Sequence, residues 1–127
     1  MRRLSLIKFR EYLSEKYIVA YHGSANKINQ FSGISYFTPQ RDAATGYAKG
    51  KSNGSPHYLY KVKFKLNNPI LFKHMWQIGS LDAKTIETLK KQGHDGAYYD
   101  GSGKEPIPEY VSFYPEQIKI LDIENLS

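Results

Sequence analysis

Three short segments of the sequence carry polar side chains at the ends of predicted strands, where ordinary core packing does not need them. They are residues 21–24 (Tyr-His-Gly-Ser), 35–38 (Ser-Tyr-Phe-Thr) and 108–113 (Pro-Glu-Tyr-Val-Ser-Phe). The glycine of the first segment lets another group approach the backbone closely, because glycine has no Cβ. We therefore take the three segments as candidates for a binding site.

Two tyrosines and one glutamate in or near these segments could do chemistry. Tyr36 lies on a predicted strand, and Tyr47 follows eleven residues later on a predicted helix. Two aromatic faces placed in this way can sandwich a planar heterocycle. Glu109 opens an otherwise apolar strand, where an inward-facing carboxylate is unfavourable without a partner or a task. Taken singly, each tyrosine could instead be a core aromatic, and Glu109 could be an exposed strand start.

Several common catalytic and binding motifs are absent from the sequence. Residues 101–104 (Gly-Ser-Gly-Lys) hint at a phosphate loop, but the Walker pattern needs glycine where Tyr98 stands and serine or threonine where Glu105 stands. There is no cysteine, so thiol nucleophiles are excluded. The four histidines lack paired ligand spacing, so no metal site is expected.

Length and composition indicate one basic domain spanning residues 1–127. The chain has 18 Lys and Arg against 12 Asp and Glu, a formal net charge of +6. A basic surface favours contact with phosphates, acidic proteins or anionic small molecules. No run approaches 18 apolar residues, so we expect no membrane span and no membrane partner, and the absence of cysteine makes the cytoplasm the default location.

Hydrophobic periodicity predicts an α+β fold with about three helices and six short strands. Apolar residues alternate with Lys61, Lys63 and Lys65, which gives one strand a wet, cationic face. The predicted helices are an N-terminal amphipathic helix at 1–16, a second at 39–48 and a third, capped by Ser80, at 80–92. The predicted strands are 17–21, 35–38, 57–66, 96–100, 109–113 and 117–123.

In this order, the three segments resemble the motifs of the ADP-ribosyltransferase superfamily, in its His-Tyr-Glu branch. That branch includes the poly(ADP-ribose) polymerases and the diphtheria-type toxins. The resemblance rests on residues 21–24 for the first motif, on Tyr36-Phe37 with Ala44 and Tyr47 for the second, and on residues 109–113 for the third. Residues 68–70 and 93–97 are also similar to small phage and bacterial members. The resemblance implies a split β-sandwich of short strands.

The resemblance implies that NAD is the substrate, with no other cofactor and no metal. His22 would hydrogen-bond the adenosine-side ribose. The backbone of Gly23, with help from Ser24, would hold the nicotinamide carboxamide. Tyr36 and Tyr47 would stack against the nicotinamide ring.

The same resemblance makes Glu109 the catalytic residue. Its carboxylate would hydrogen-bond the 2-hydroxyl of the nicotinamide ribose. Loss of nicotinamide leaves an oxocarbenium-like sugar, and a nearby carboxylate stabilises that developing positive charge.

Two departures from the family pattern bear on the acceptor. Ile107 stands where arginine-specific members have a second acidic residue, which disfavours arginine as the acceptor. The long acceptor-site loop of the polymerases is missing, so we expect a single ADP-ribose to be transferred. Lys61, Lys63 and Lys65 are candidates for docking the acceptor.

The sequence therefore predicts a mono-ADP-ribosyltransferase acting on a macromolecule. We slightly favour an acidic host protein over nucleic acid, and by analogy a phage host modifier, an anti-defence factor or a toxin. Two alternatives stay open. One is NAD glycohydrolysis with water as acceptor, and the other is a basic nucleic-acid-binding module with a decayed site.

Overall fold

A computed structural model describes residues 17–28, 30–31, 34–52 and 57–126. The predicted helix at 1–16 lies outside these ranges. Within them the chain forms seven strands, three α-helices and one short 3₁₀ turn at Pro115–Gln117. The strands are β1 (Ile18–Ser24), β2 (Tyr36–Phe37), β3 (Tyr58–Phe64), β4 (Pro69–Phe72), β5 (Gly96–Tyr99), β6 (Glu109–Ser112) and β7 (Lys119–Asn125). The helices are α1 (Arg41–Ser52), α2 (Met75–Gly79) and α3 (Ala83–Lys91).

The strands form two sheets. The first is antiparallel and has the order β1-β3-β7, and the second has the order β2-β6-β5-β4 with β4 and β5 parallel. A backbone bridge joins the sheets, since Tyr21 N donates to Thr38 O (2.8 Å) and Thr38 N to Tyr21 O (3.0 Å). The predicted α+β class, with short strands in two sheets, is confirmed.

A hydrophobic core fills the space between the two sheets. Tyr60, Val62 and Phe64 of β3 are fully buried, whereas the intervening Lys61 is exposed, as the alternation in the sequence predicts. Phe64 packs against Phe37 and Tyr110 of the second sheet, with ring centroids 5.4 and 6.0 Å apart. Each such side chain contributes roughly 1.5–3 kcal/mol by leaving water.

A second cluster covers the opposite face of the second sheet. Ile78 of α2 and Ile86 and Leu89 of α3 pack there on Tyr99 and Val111. Asp82, rather than the predicted Ser80, caps α3, because its carboxylate accepts a hydrogen bond of 2.7 Å from Thr85 N. The hydroxyl of Ser80 instead donates to Trp76 O (2.6 Å). This face of the sheet also carries Glu109.

Two elements were not expected from the sequence. Soon after the predicted strand 57–66 the chain forms the edge strand β4, which begins at Pro69, a position where proline is tolerated. The short helix α2 depends on Gln77, whose side-chain oxygen accepts from the backbone nitrogens of Lys73 and His74 (both 3.0 Å). Neither segment is long enough to show a period. None of the helices in the described ranges is long and apolar enough to cross a membrane.

Candidate active site

A cleft of about 390 Å³ lies beside the bridge that joins the two sheets. Five of the six residues predicted to bind NAD or catalyse line it: His22, Gly23, Tyr36, Tyr47 and Glu109. Tyr21, Thr38, Met75, Gly79 and Glu105 complete the lining. The structure thus brings together residues that are far apart in the chain, from Tyr21 to Glu109.

The strand register places Glu109 beside Tyr36. Tyr36 of β2 pairs with Val111 of β6, and Glu109 lies two residues before Val111. Side chains two residues apart on a strand share a face, so Glu109 and Tyr36 project from the same side of the sheet. Glu109 is only 8% exposed, which excludes the alternative of a solvated strand start.

The carboxylate of Glu109 lies close enough to both cleft tyrosines to influence their ionisation. Burial raises the pKa of Tyr36 and of Tyr47, and the negative charge of Glu109 raises the pKa of both further. A carboxylate disfavours a second negative charge on a nearby phenol. The charge of Glu109 therefore influences the pKa of both tyrosines.

This arrangement gives a pH prediction that does not depend on any activity. We expect Tyr36 and Tyr47 to ionise above the usual pKa of tyrosine, and Glu109→Gln to lower both pKa values by removing the repelling charge. Burial persists in the variant, so the values should stay above normal. NMR titration of ring-labelled tyrosines would measure this.

Tyr98 provides an internal control for that titration. Its pKa is raised by burial, by Tyr110 and by Asp100, with no contribution from Glu109. It should therefore be unaffected by Glu109→Gln. Unchanged pKa values for Tyr36 and Tyr47 in the variant would contradict the placement of the carboxylate beside the rings.

Gly23 brings helix α1 close to β1. A Cβ at this position would overlap the carbonyl oxygen of Ala44 and lie 2.7 Å from the backbone nitrogen of Ala48. Ala44 and Ala48 are themselves buried, so small residues on both sides allow the contact. The group that approaches Gly23 is thus helix α1, and this close packing sets the position of Tyr47, which is 42% exposed at the cleft.

His22 connects β1 to the strand that carries Tyr36. Its Nδ1 lies 2.7 Å from the carbonyl oxygen of Tyr36, to which it donates when that nitrogen is protonated. The imidazole packs against Phe31 and Phe37, with ring centroids 5.2 and 5.5 Å away. One side of the cleft is therefore held by a hydrogen bond and by aromatic packing.

Ser24 is the one predicted binding residue that the structure does not bring to the cleft. Its hydroxyl donates to Asn26 O (2.7 Å) and accepts from Asn26 N (3.1 Å). The side chain thus stabilises the turn that follows β1. The predicted docking residues Lys61, Lys63 and Lys65 lie outside the cleft on β3 and just beyond it.

A second carboxylate, Glu105, lines the cleft and was not predicted from the sequence. The hydroxyl of Tyr99 holds the loop that carries it, donating to Glu105 O and accepting from Gly103 N (2.9 Å). An acidic residue in a glycine-rich loop four positions before Glu109 was the available signal. Met75 and Gly79 were missed because helix α2 was not predicted.

The fold and the cleft together define a small two-sheet α+β protein whose cleft is lined by a buried carboxylate and two tyrosines. Comparison with protein-family models and with curated proteins gives no match. Among solved structures, the chain is similar to a chain of the M. tuberculosis MbcT–MbcA toxin–antitoxin complex. The TM-score is 0.55 at 9% identity, over 88% of this chain and 85% of that chain. At this identity the likeness shows a shared fold.

Proposed function

We propose that the protein cleaves NAD at the bond between nicotinamide and ribose and transfers ADP-ribose to a macromolecular acceptor. The observation that carries this proposal is the buried carboxylate of Glu109 in one cleft with Tyr36 and Tyr47. Its support from the sequence is the resemblance of the three segments, which meet at this cleft, to the motifs of the ADP-ribosyltransferases.

The cleft has the size and the aromatic surfaces that a nicotinamide riboside needs. Its volume of about 390 Å³ lies within the usual range of small-molecule sites. Neither Tyr36 nor Tyr47 makes an aromatic ring contact with another of the described residues. We assign these two rings to the flat faces of the nicotinamide. The hydrogen bond from His22 to the backbone of Tyr36 fixes the first ring relative to β1.

The transfer reaction needs no general acid to protonate the leaving group. The bond between C1′ of the ribose and the nicotinamide nitrogen breaks, and its electron pair stays with nicotinamide, which leaves neutral. Positive charge develops on the ribose, where the carboxylate of Glu109 stabilises it. An oxygen or nitrogen of the acceptor forms the new bond to C1′ and releases its proton to water. The residues mainly position the reactants, a contribution that can reach several kcal/mol.

A toxin-like role fits the structural similarity. The similar chain was solved as part of a toxin–antitoxin complex. We extend the proposal to a toxin-like enzyme that modifies a macromolecule and can be blocked by a protein partner. An inhibitor that acts in this way would cover the open cleft.

The direct test uses NAD labelled in its adenylate half and, separately, in its nicotinamide. We expect label from the first to become attached to macromolecules of a cell lysate, with release of nicotinamide from the second. Digestion with protease or nuclease then identifies the class of acceptor. Nicotinamide release without any labelled macromolecule would identify a glycohydrolase, and an enzyme that releases no nicotinamide would refute the proposal.

A further inference from the structure

The outer face of the first sheet carries two parallel rows of side chains. Strand pairing places Val19 opposite Lys63 and Tyr21 opposite Lys61, and neighbouring strands lie about 4.8 Å apart. One row is aromatic and apolar, and the other is cationic. The first row is Val19 and Tyr21 of β1 with Tyr17 just before the strand, and the second is Lys61 and Lys63 of β3 with Lys65 just beyond it. We call the two rows together the lysine–tyrosine face.

Side-chain contacts join the two rows at the end where Tyr17 and Lys65 lie. The ammonium groups of Lys63 and Lys65 lie 4.6 and 4.8 Å from the centroid of the Tyr17 ring. The Tyr17 side chain is 58% exposed, and Val19 is 44% exposed. The Tyr17 ring makes cation–π contacts with two ammonium groups and is still more than half exposed, so it is suited to contact a partner.

The charge of the face calls for an anionic partner. Strand β7 adds Lys119 opposite Lys63, and Asp122 opposite Lys61. Glu124 lies on the same face two residues beyond Asp122 and is paired with Arg41 of α1 at 2.6 Å, so with Arg41 counted the described part of this face has five cationic side chains against two acidic ones. The segment at 1–16 is itself basic, with five Lys and Arg against two Glu, so its charge does not complement this surface.

The lysine–tyrosine face leads to the cleft. Tyr21, the last residue of the aromatic row, also lines the cleft and pairs with Lys61, the first residue of the cationic row. Along β3 the lysines recur at every second residue, about 6.8 Å apart. An extended chain that followed these rows would thus arrive at the site of Glu109.

We propose that the lysine–tyrosine face binds single-stranded nucleic acid and presents it to the cleft as the acceptor. The delivery step rests on the proposed transferase function. Bases can stack on the exposed aromatic row while phosphates lie over the lysines, the combination that single-strand-binding surfaces use. Every nucleotide carries both a planar base and a phosphate, whereas an acidic peptide supplies planar groups only where it has aromatic residues, so nucleic acid matches both rows more completely. In the transfer, a nucleophilic nitrogen or oxygen of the strand bonds to C1′, its proton goes to water and nicotinamide leaves neutral.

Binding can be measured by fluorescence anisotropy with a labelled single-stranded RNA or DNA of mixed sequence over a range of salt concentrations. Neutralising three to four phosphates predicts that a plot of log binding constant against log salt concentration has a slope of about −2 to −3.

Lys63→Glu/Lys65→Glu should make this slope shallower by about 1.4 and weaken binding at least ~10-fold. Tyr17→Ala should weaken binding about 10-fold through lost stacking and leave the slope unchanged.

A matched control changes the same charges elsewhere. Lys84→Glu/Lys91→Glu alters two exposed lysines of α3 and should leave the affinity for the oligonucleotide unchanged. Lys63→Gln/Lys65→Gln repeats the test with a milder change if the charge-reversed variant does not fold. Equal losses for both pairs of lysines would overturn the proposal, because they would show a response to net charge alone.

The remaining outcomes separate this inference from the proposed function. Nicotinamide release by a wild-type protein that binds no oligonucleotide would overturn the inference and leave the transferase proposal standing. Equally tight binding of a polyglutamate peptide, with the same dependence on Lys63 and Lys65, would overturn it in favour of an acidic protein. Oligonucleotide binding that requires Tyr17, with label transferred from NAD to the oligonucleotide, would support both steps.

Discussion

Replacing Glu109 by glutamine should lower the rate of nicotinamide release from NAD at least ~10²-fold, the scale on which a single transition-state contact is lost. The amide keeps the size of the side chain but removes the negative charge that faces the ribose as its positive charge develops. Because Tyr36 and Tyr47 remain in place, NAD binding should change much less than the rate. Single-turnover kinetics alongside equilibrium binding of NAD would separate the two effects.

A matched glutamate elsewhere in the fold provides the control. Glu87 lies exposed on α3, outside the cleft lining, so Glu87→Gln should leave the rate unchanged. Thermal unfolding of both variants would verify that they are folded. If Glu109→Gln retained a rate near that of the wild type, Glu109 would not be the catalytic residue, and the proposed function would lose its main support.

Gly23→Ala should destabilise the protein by about 3 kcal/mol, at the upper end of what overpacking usually costs. The added methyl group would meet the backbone of α1 at Ala44 and Ala48, and backbone atoms cannot rotate away as a flexible side chain can. Helix α1 would have to move away from β1 and carry Tyr47 with it. We therefore expect weaker NAD binding as well as lower stability, measured by urea unfolding and by equilibrium binding.

Two glycines of helix α1 itself give the opposite expectation. Nothing lies within 4 Å of a Cβ built at Gly46 or at Gly50. Alanine at either position should therefore stabilise the protein by roughly 0.5–1 kcal/mol, because alanine favours the helical conformation. Equal effects of Gly23→Ala and Gly50→Ala on stability would show that α1 does not press on β1 as described.

Most of the strands could be predicted because their signals are local. The alternation along β3 requires only that one face be buried and the other wet, so residues 57–66 reveal the strand without any knowledge of its neighbours. For Glu109 the sequence left two placements open, an inward carboxylate or an exposed strand start, and the 8% exposure of the residue in the fold decides for the first. By contrast, β4 and α2 are stabilised by β5 and by Gln77, and a short segment with such non-local support shows no period of its own.

By itself, the sequence determined the α+β class, the strand of alternating lysines and the presence of two tyrosines and a glutamate in or near the ends of predicted strands. Only the tertiary structure decided which of these residues meet. In the folded chain Ser24 hydrogen-bonds within the turn that follows β1, and the hydroxyl of Tyr99 holds the loop that brings Glu105 to the cleft. Gly23 allows helix α1 to pack closely against β1. The tertiary structure also placed Lys61 and Lys63 of β3 opposite Tyr21 and Val19 of β1. These outcomes depend on strand register and helix approach, which are set by contacts between residues far apart in the chain.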